Sequence, residues 1–144
     1  MREIKFRAFS KKTKKMSIPF GLYESPRFHS EYKGKYCTAG VVPSRFLYET
    51  ESETKYFYIM QYTGLKDKNG VEIYEGDILK VASNGYSNYI SWTGKSCFVE
   101  YIEDRCRFIA TTGEGYDTRN CFDLNCDAEI EVIGNIYENP ELLE

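Results

Sequence analysis

The stretch from Lys55 to Ala82 constrains the fold more than any other part of the chain. Tyr56-Phe57-Tyr58-Ile59-Met60 is an unbroken aromatic and apolar run leading into Gln61-Tyr62-Thr63-Gly64, which predicts a strand. Lys66-Asp67-Lys68-Asn69-Gly70 follows, and Asn69-Gly70 is a strong turn signal because both residue types tolerate positive φ. The chain extends again through Val71-Glu72-Ile73-Tyr74, turns at Glu75-Gly76-Asp77, and continues as Ile78-Leu79-Lys80-Val81. Strand–turn–strand units at such short intervals predict an antiparallel sheet. Thr63-Gly64, Asn69-Gly70 and Gly76-Asp77 read as turn chemistry, with Asp77 accepting backbone N–H bonds at a tight turn; a catalytic carboxylate is the sharper alternative. Asp67 and Asn69 imitate the start of a calcium loop. The third ligand, the sixth-position Gly and the distal Glu are missing, so a plain turn is expected.

The rest of the chain follows the same grammar. Residues 2–9 alternate with period two, Ile4, Phe6 and Ala8 facing one way and Glu3, Lys5 and Arg7 the other. A Lys-rich turn, residues 10–15, leads to a second strand over Met16–Tyr23, giving a hairpin. Residues 24–52 are irregular, with one strand expected near Lys35–Val42 and a weakly written short helix over Pro43–Tyr48. Cys97–Ile102 and Cys106–Thr111 predict a hairpin across Glu103-Asp104-Arg105, followed by a polar loop over Thr112–Asp127. Ala128–Tyr137 reads as the final strand. Asn139-Pro140-Glu141 offers an N-cap, a Pro at N1 and an acidic first turn, hence a short C-terminal helical turn. No internal repeat is present.

Composition agrees with a mainly β domain. Aromatics reach 16%, with 13 Tyr and 9 Phe, residue types that suit a pleated, half-buried surface. At 42% hydrophobic and 28% charged, neither a disordered tail nor a membrane protein is expected, and no apolar run approaches a membrane span of about 20 residues. The sequence opens straight into the alternating pattern, so no signal peptide is expected, which points to a cytoplasmic protein. The net charge of −3 argues against a surface that binds phosphate backbones all over, while a local basic patch remains open.

Chemistry-bearing constellations are sparse. Five cysteines, Cys37, Cys97, Cys106, Cys121 and Cys126, include no two-residue knuckle, and an odd number without an export signal favours free thiols. Cys97 and Cys106 fall on the apolar faces of the expected strands and read as buried core thiols. His29-Ser30-Glu31 imitates half of a zinc-deaminase signature, but the proline-linked Cys knuckle is absent and His29 is the single His. No P-loop and no G-x-S-x-G is present. The expectation is a non-enzyme with no metal and no cofactor.

Two segments qualify as contact surfaces. Tyr86, Tyr89 and Trp92 are spaced three apart among Ser, Asn and Gly, the composition of binding loops; rings packed on the body of the domain are the alternative. Lys11, Lys12, Lys14 and Lys15 cluster on the first turn and, with Arg7, Lys66 and Lys68, could supply charge for a nucleic acid. A solvated hairpin tip that discourages edge pairing is the plainer explanation.

The block "MQYTGLKDKNGVEIYEGDILKV", Met60 to Val81, closely resembles the YopX family of phage and prophage proteins. The opening "MREIKFRAF" and the close "IEVIGNIYENPELLE" resemble the same family's ends. Members usually carry Trp-Asp where this chain has Phe9-Ser10, a departure that leaves the strand pattern intact. The resemblance implies a phage or prophage origin, an intracellular setting and a small SH3-like β-barrel, and it brings no catalytic residues. One domain over 1–144 is expected, with residues 1–54 forming an N-terminal hairpin and irregular segment and 55–144 the barrel. The leading functional expectation is a non-catalytic binding module for a host or phage protein, through Tyr86, Tyr89 and Trp92. Single-stranded nucleic-acid binding through the lysines and self-assembly as a homo-oligomer are the alternatives.

Overall fold

The computed structural model describes residues 3–21, 27–29, 36–38, 57–82, 92–113, 121–124 and 129–144. Among them the strands are β1 (Lys5–Ser10), β2 (Lys15–Ile18), β3 (Phe20–Gly21), β4 (Arg27–His29), β5 (Tyr36–Thr38), β6 (Phe57–Lys66), β7 (Glu72–Tyr74), β8 (Asp77–Ala82), β9 (Ser96–Ile102), β10 (Arg107–Thr111), β11 (Cys121–Asp123) and β12 (Glu129–Asn135). Among the described residues, 3-10 turns form at Glu103–Arg105 and Pro140–Leu143. The protein is mainly β, as its composition predicts. The short helix expected over Pro43–Tyr48 lies outside the described residues.

The chain divides into two units, residues 1–62 and 63–144. In the first, strand order runs β5-β4-β2-β1-β6, with β3 also pairing β1. The second strand expected over Met16–Tyr23 is broken at Pro19, which has no N–H to donate, so β2 and β3 pair with different parts of β1. Ser17 Oγ accepts the Ala8 N–H at 2.8 Å, a buried hydroxyl standing in for a ladder carbonyl. On β1 and β6 both faces are largely buried. Ala8 lies on one, while Phe9, Met60 and Tyr62 lie on the face that carries Lys5 and Arg7. The polar side expected of the first strand is therefore mostly covered.

The second unit is a small barrel. Its antiparallel sheet has the order β11-β10-β9-β8-β12 and wraps one core of Leu79, Val81, Cys97, Val99, Ala110 and Ile130, sealed by Trp92, Phe122, Leu124 and Ile73. The open side of β12 is taken by the β6–β7 loop. Lys68 N–H donates to the Ile130 carbonyl at 3.0 Å, and Val132 N–H donates to Asp67 Oδ2 at 3.0 Å. A loop thus supplies the hydrogen bonds that a neighbouring strand would otherwise make, which protects the edge. The β7–β8 turn adds a second tie, Gly76 N–H to the Val99 carbonyl at 2.8 Å and Ile136 N–H to the Gly76 carbonyl at 2.9 Å.

The C-terminal turn covers the sheet's other face. Gly134 pairs with Ile78, whose side chain points away from the core cluster. A Cβ on Gly134 would lie 2.7 Å from Asn139 Oδ1 and 2.9 Å from Leu142 Cδ1, so only glycine permits this approach. The turn is 3-10, and Asn139 makes no side-chain cap; its N–H instead donates to the Asn135 carbonyl at 2.9 Å.

Candidate interaction surface

The best-written polar residues of the second unit serve its backbone. Asp67 is 7% exposed; Oδ1 accepts the N–H groups of Asn69 and Val71, each at 2.8 Å, while Oδ2 takes Val132. Burial by itself would raise its pKa. The three N–H donors and the nearby Lys68 charge outweigh that and hold the carboxyl below the usual 3.8. Asp77 is fully buried, and its Oδ2 accepts the Tyr74 N–H at 2.7 Å. The expected turn role of Asp77 matches this geometry. Asn135, also buried, gathers the Tyr137 and Glu138 N–H groups on Oδ1, each at 3.0 Å.

The glycine turns behave in part as expected. Gly64, Gly70 and Gly76 all have positive φ, but Gly64 lies inside β6 and not at the turn expected there, and Asn69 lacks positive φ, so the Asn69-Gly70 turn is not the two-residue type with both φ positive. The Asp67 carboxylate draws in the N–H groups of Asn69 and Val71 and makes a wider, side-chain-tied loop. Tyr62 and Tyr74 are packed rings; the Tyr74 hydroxyl donates to Glu72 Oε2 at 2.8 Å.

Tyr86 and Tyr89 lie outside the described residues. Trp92 is 4% exposed and meets Phe122 edge-on, ring centroids 5.0 Å apart, so it is a core residue and offers no contact face. The polar composition around it disguised a ring that closes the barrel core. Cys97 is buried as expected, but Cys106 is exposed. It sits at the end of the Glu103–Arg105 turn with φ 48°, in left-handed geometry, rather than on the strand.

The lysines fall into two groups. Lys68 pairs with Glu131 at 2.6 Å, a hydrogen bond that raises the Lys68 pKa. Lys66, at the end of β6, also belongs to the second unit. Lys11, Lys12, Lys14 and Lys15 share the β1–β2 turn, whose shape is held by Ser10. The Ser10 carbonyl accepts Lys14 N–H at 2.8 Å, its Oγ accepts Thr13 N–H at 3.1 Å, and Lys14 adopts φ 56°. Lys11 Nζ lies 4.0 Å above the ring centroid of Tyr58, which is 39% exposed. On the same face, Arg7 Nη2 approaches Met60 Sδ at 3.8 Å and Lys5 Nζ stands 5.4 Å from the Tyr62 ring centroid. Each β1-side cation thus meets a polarisable partner on β6.

Sequence reasoning missed Tyr58 as part of this surface. It reads as one residue of an apolar strand, and only the pairing Phe9↔Tyr58 brings it beside the turn.

Comparison with known proteins bears on the chain as a whole. No curated protein matches it significantly. Among solved structures, the crystal structure of protein EF1440 from Enterococcus faecalis is similar over 100% of both chains, at 30% identity and a TM-score of 0.54. The YopX protein family matches residues 5–144. That match runs from β1 to the C-terminal turn, through the Asp67 loop and the Gly76-Asp77 turn that tie the barrel together, and the chain therefore belongs to the YopX family.

Proposed function

We propose that the protein is a non-catalytic binding module, acting on a phage or host macromolecule in the bacterial cytoplasm, and that its contact surface is the β1–β2 tip. The observation that carries this reading is the Lys11 ammonium resting on the exposed Tyr58 ring, at the edge of a turn bearing four lysines. An aromatic face beside concentrated charge, on a turn fixed by Ser10, is a preorganised contact surface. The two buried aspartates support the non-catalytic part, because their oxygens are engaged by backbone N–H groups that shape the barrel.

Capture on beads tests the assignment. Wild type and a variant carrying Lys11→Glu, Lys12→Glu, Lys14→Glu and Lys15→Glu are compared in bacterial lysate after circular dichroism confirms equal folding. Loss of the captured material from the variant is the expected result. Identical capture by both would remove the tip from consideration.

A further inference from the structure

The overall charge of −3 conceals a segregation that the two units make visible. Residues 1–62 carry 12 Lys+Arg against 6 Asp+Glu, a formal +6, and residues 63–144 carry 7 against 16, a formal −9. Within the first unit, Lys5 to Lys15 holds six cations and no acid. The acidic balance of the whole chain is therefore no argument against a polyanion at the tip.

Resting on the binding-module reading, we infer that the β1–β2 tip binds single-stranded nucleic acid, with a base on the Tyr58 ring and phosphates on Lys11, Lys12, Lys14 and Lys15. Charge alone fits any polyanion; the ring selects among them. A base exposes its π face in a single strand and hides it in a stacked duplex, so an aromatic platform beside cations favours the single strand. An acidic peptide engages the lysines but has no use for the ring. In the unbound protein Lys11 Nζ covers that ring at 4.0 Å, so a stacking base displaces the ammonium, which then moves to a phosphate. The Ser10-held turn fixes where the four lysines leave the backbone, so their charge is gathered before the ligand binds.

Fluorescence anisotropy with a labelled oligothymidine, measured from 50 to 200 mM salt, tests this. If four lysines each neutralise one phosphate, the log–log slope is about −2.8 and affinity falls about 50-fold over that range. Tyr58→Ala should weaken binding about 5- to 150-fold with the slope unchanged, whereas Tyr58→Phe keeps the stacking face and the affinity. Preference for oligothymidine over a duplex and over polyglutamate is the third expected result. Equal affinity for all three, or Tyr58→Ala binding like wild type, overturns the inference. No oligonucleotide binding, with lysate capture still lost in the four-glutamate variant, overturns it while leaving the binding-module reading standing. Failure of both experiments removes both.

Discussion

Asp67→Ala gives the sharpest test of how the barrel is closed. One carboxylate, 7% exposed, serves three backbone donors that lie up to 65 residues away in the chain. Asn69 and Val71 are themselves exposed, so their N–H groups can turn to water once the acceptor is gone, at about 1 kcal/mol each. Val132 lies in β12 and its N–H is less able to rehydrate; losing a charged acceptor there costs about 2 kcal/mol. The sum is about 4 kcal/mol, a large share of the roughly 5–15 kcal/mol expected for a domain. Urea unfolding at pH 7 measures it directly. Asp67→Asn retains one acceptor oxygen and should lose about half as much. The pH dependence has a definite sign. Because the folded pKa is held below 3.8, the contribution is complete above the unfolded value near 4 and is lost as pH falls from there through the lower folded value. Wild type should therefore lose stability as pH falls from just above the unfolded value through the lower folded one, more steeply than Asp67→Asn. An Asp67→Ala change under roughly 0.5 kcal/mol, the scatter of ordinary surface substitutions, would refute the closure argument, as would parallel pH profiles.

Two further substitutions probe the second unit. Gly134→Ala forces Asn139 and Leu142 off the sheet; a loss of about 1–3 kcal/mol is expected, with faster proteolysis near the C-terminus, and Leu142→Ala in the same chain should restore part of it. Cys106→Gly relieves the left-handed backbone and should raise stability by about 0.5–1 kcal/mol, net of glycine's larger unfolded-state entropy. In the wild type, Cys106 should react with a thiol reagent in the folded state and Cys97 only on unfolding; equal rates would contradict the assigned burial.

The block from Lys55 to Ala82 was legible because its apolar run and turn residues are local signals, and β6, β7 and β8 follow it closely. The hairpin across Glu103–Arg105 was legible for the same reason. What composition misread were residues whose role depends on distant neighbours. Trp92 sits in binding-loop company but completes a core built from six strands. Cys106 fits an alternating pattern, yet the turn needs one left-handed residue and takes it there. Cys121–Asp123 is too short to show a period; it is a strand only because β10 lies alongside it. Of the candidate surface, the four lysines were visible and Tyr58 was not.

By itself the sequence determined the β class, the positions of the tight turns and the family, because alternation, Gly and Asn act within a few residues. Only the tertiary structure decided that Asp67 closes the barrel from 65 residues away, that Trp92 is core, and that Lys11 lies over Tyr58. Those outcomes depend on which strand becomes whose neighbour, and pairing energies are settled between segments that carry no mark of one another in the chain. The charge segregation belongs to both levels: every lysine was in plain view, but the division into units gave the sum its meaning.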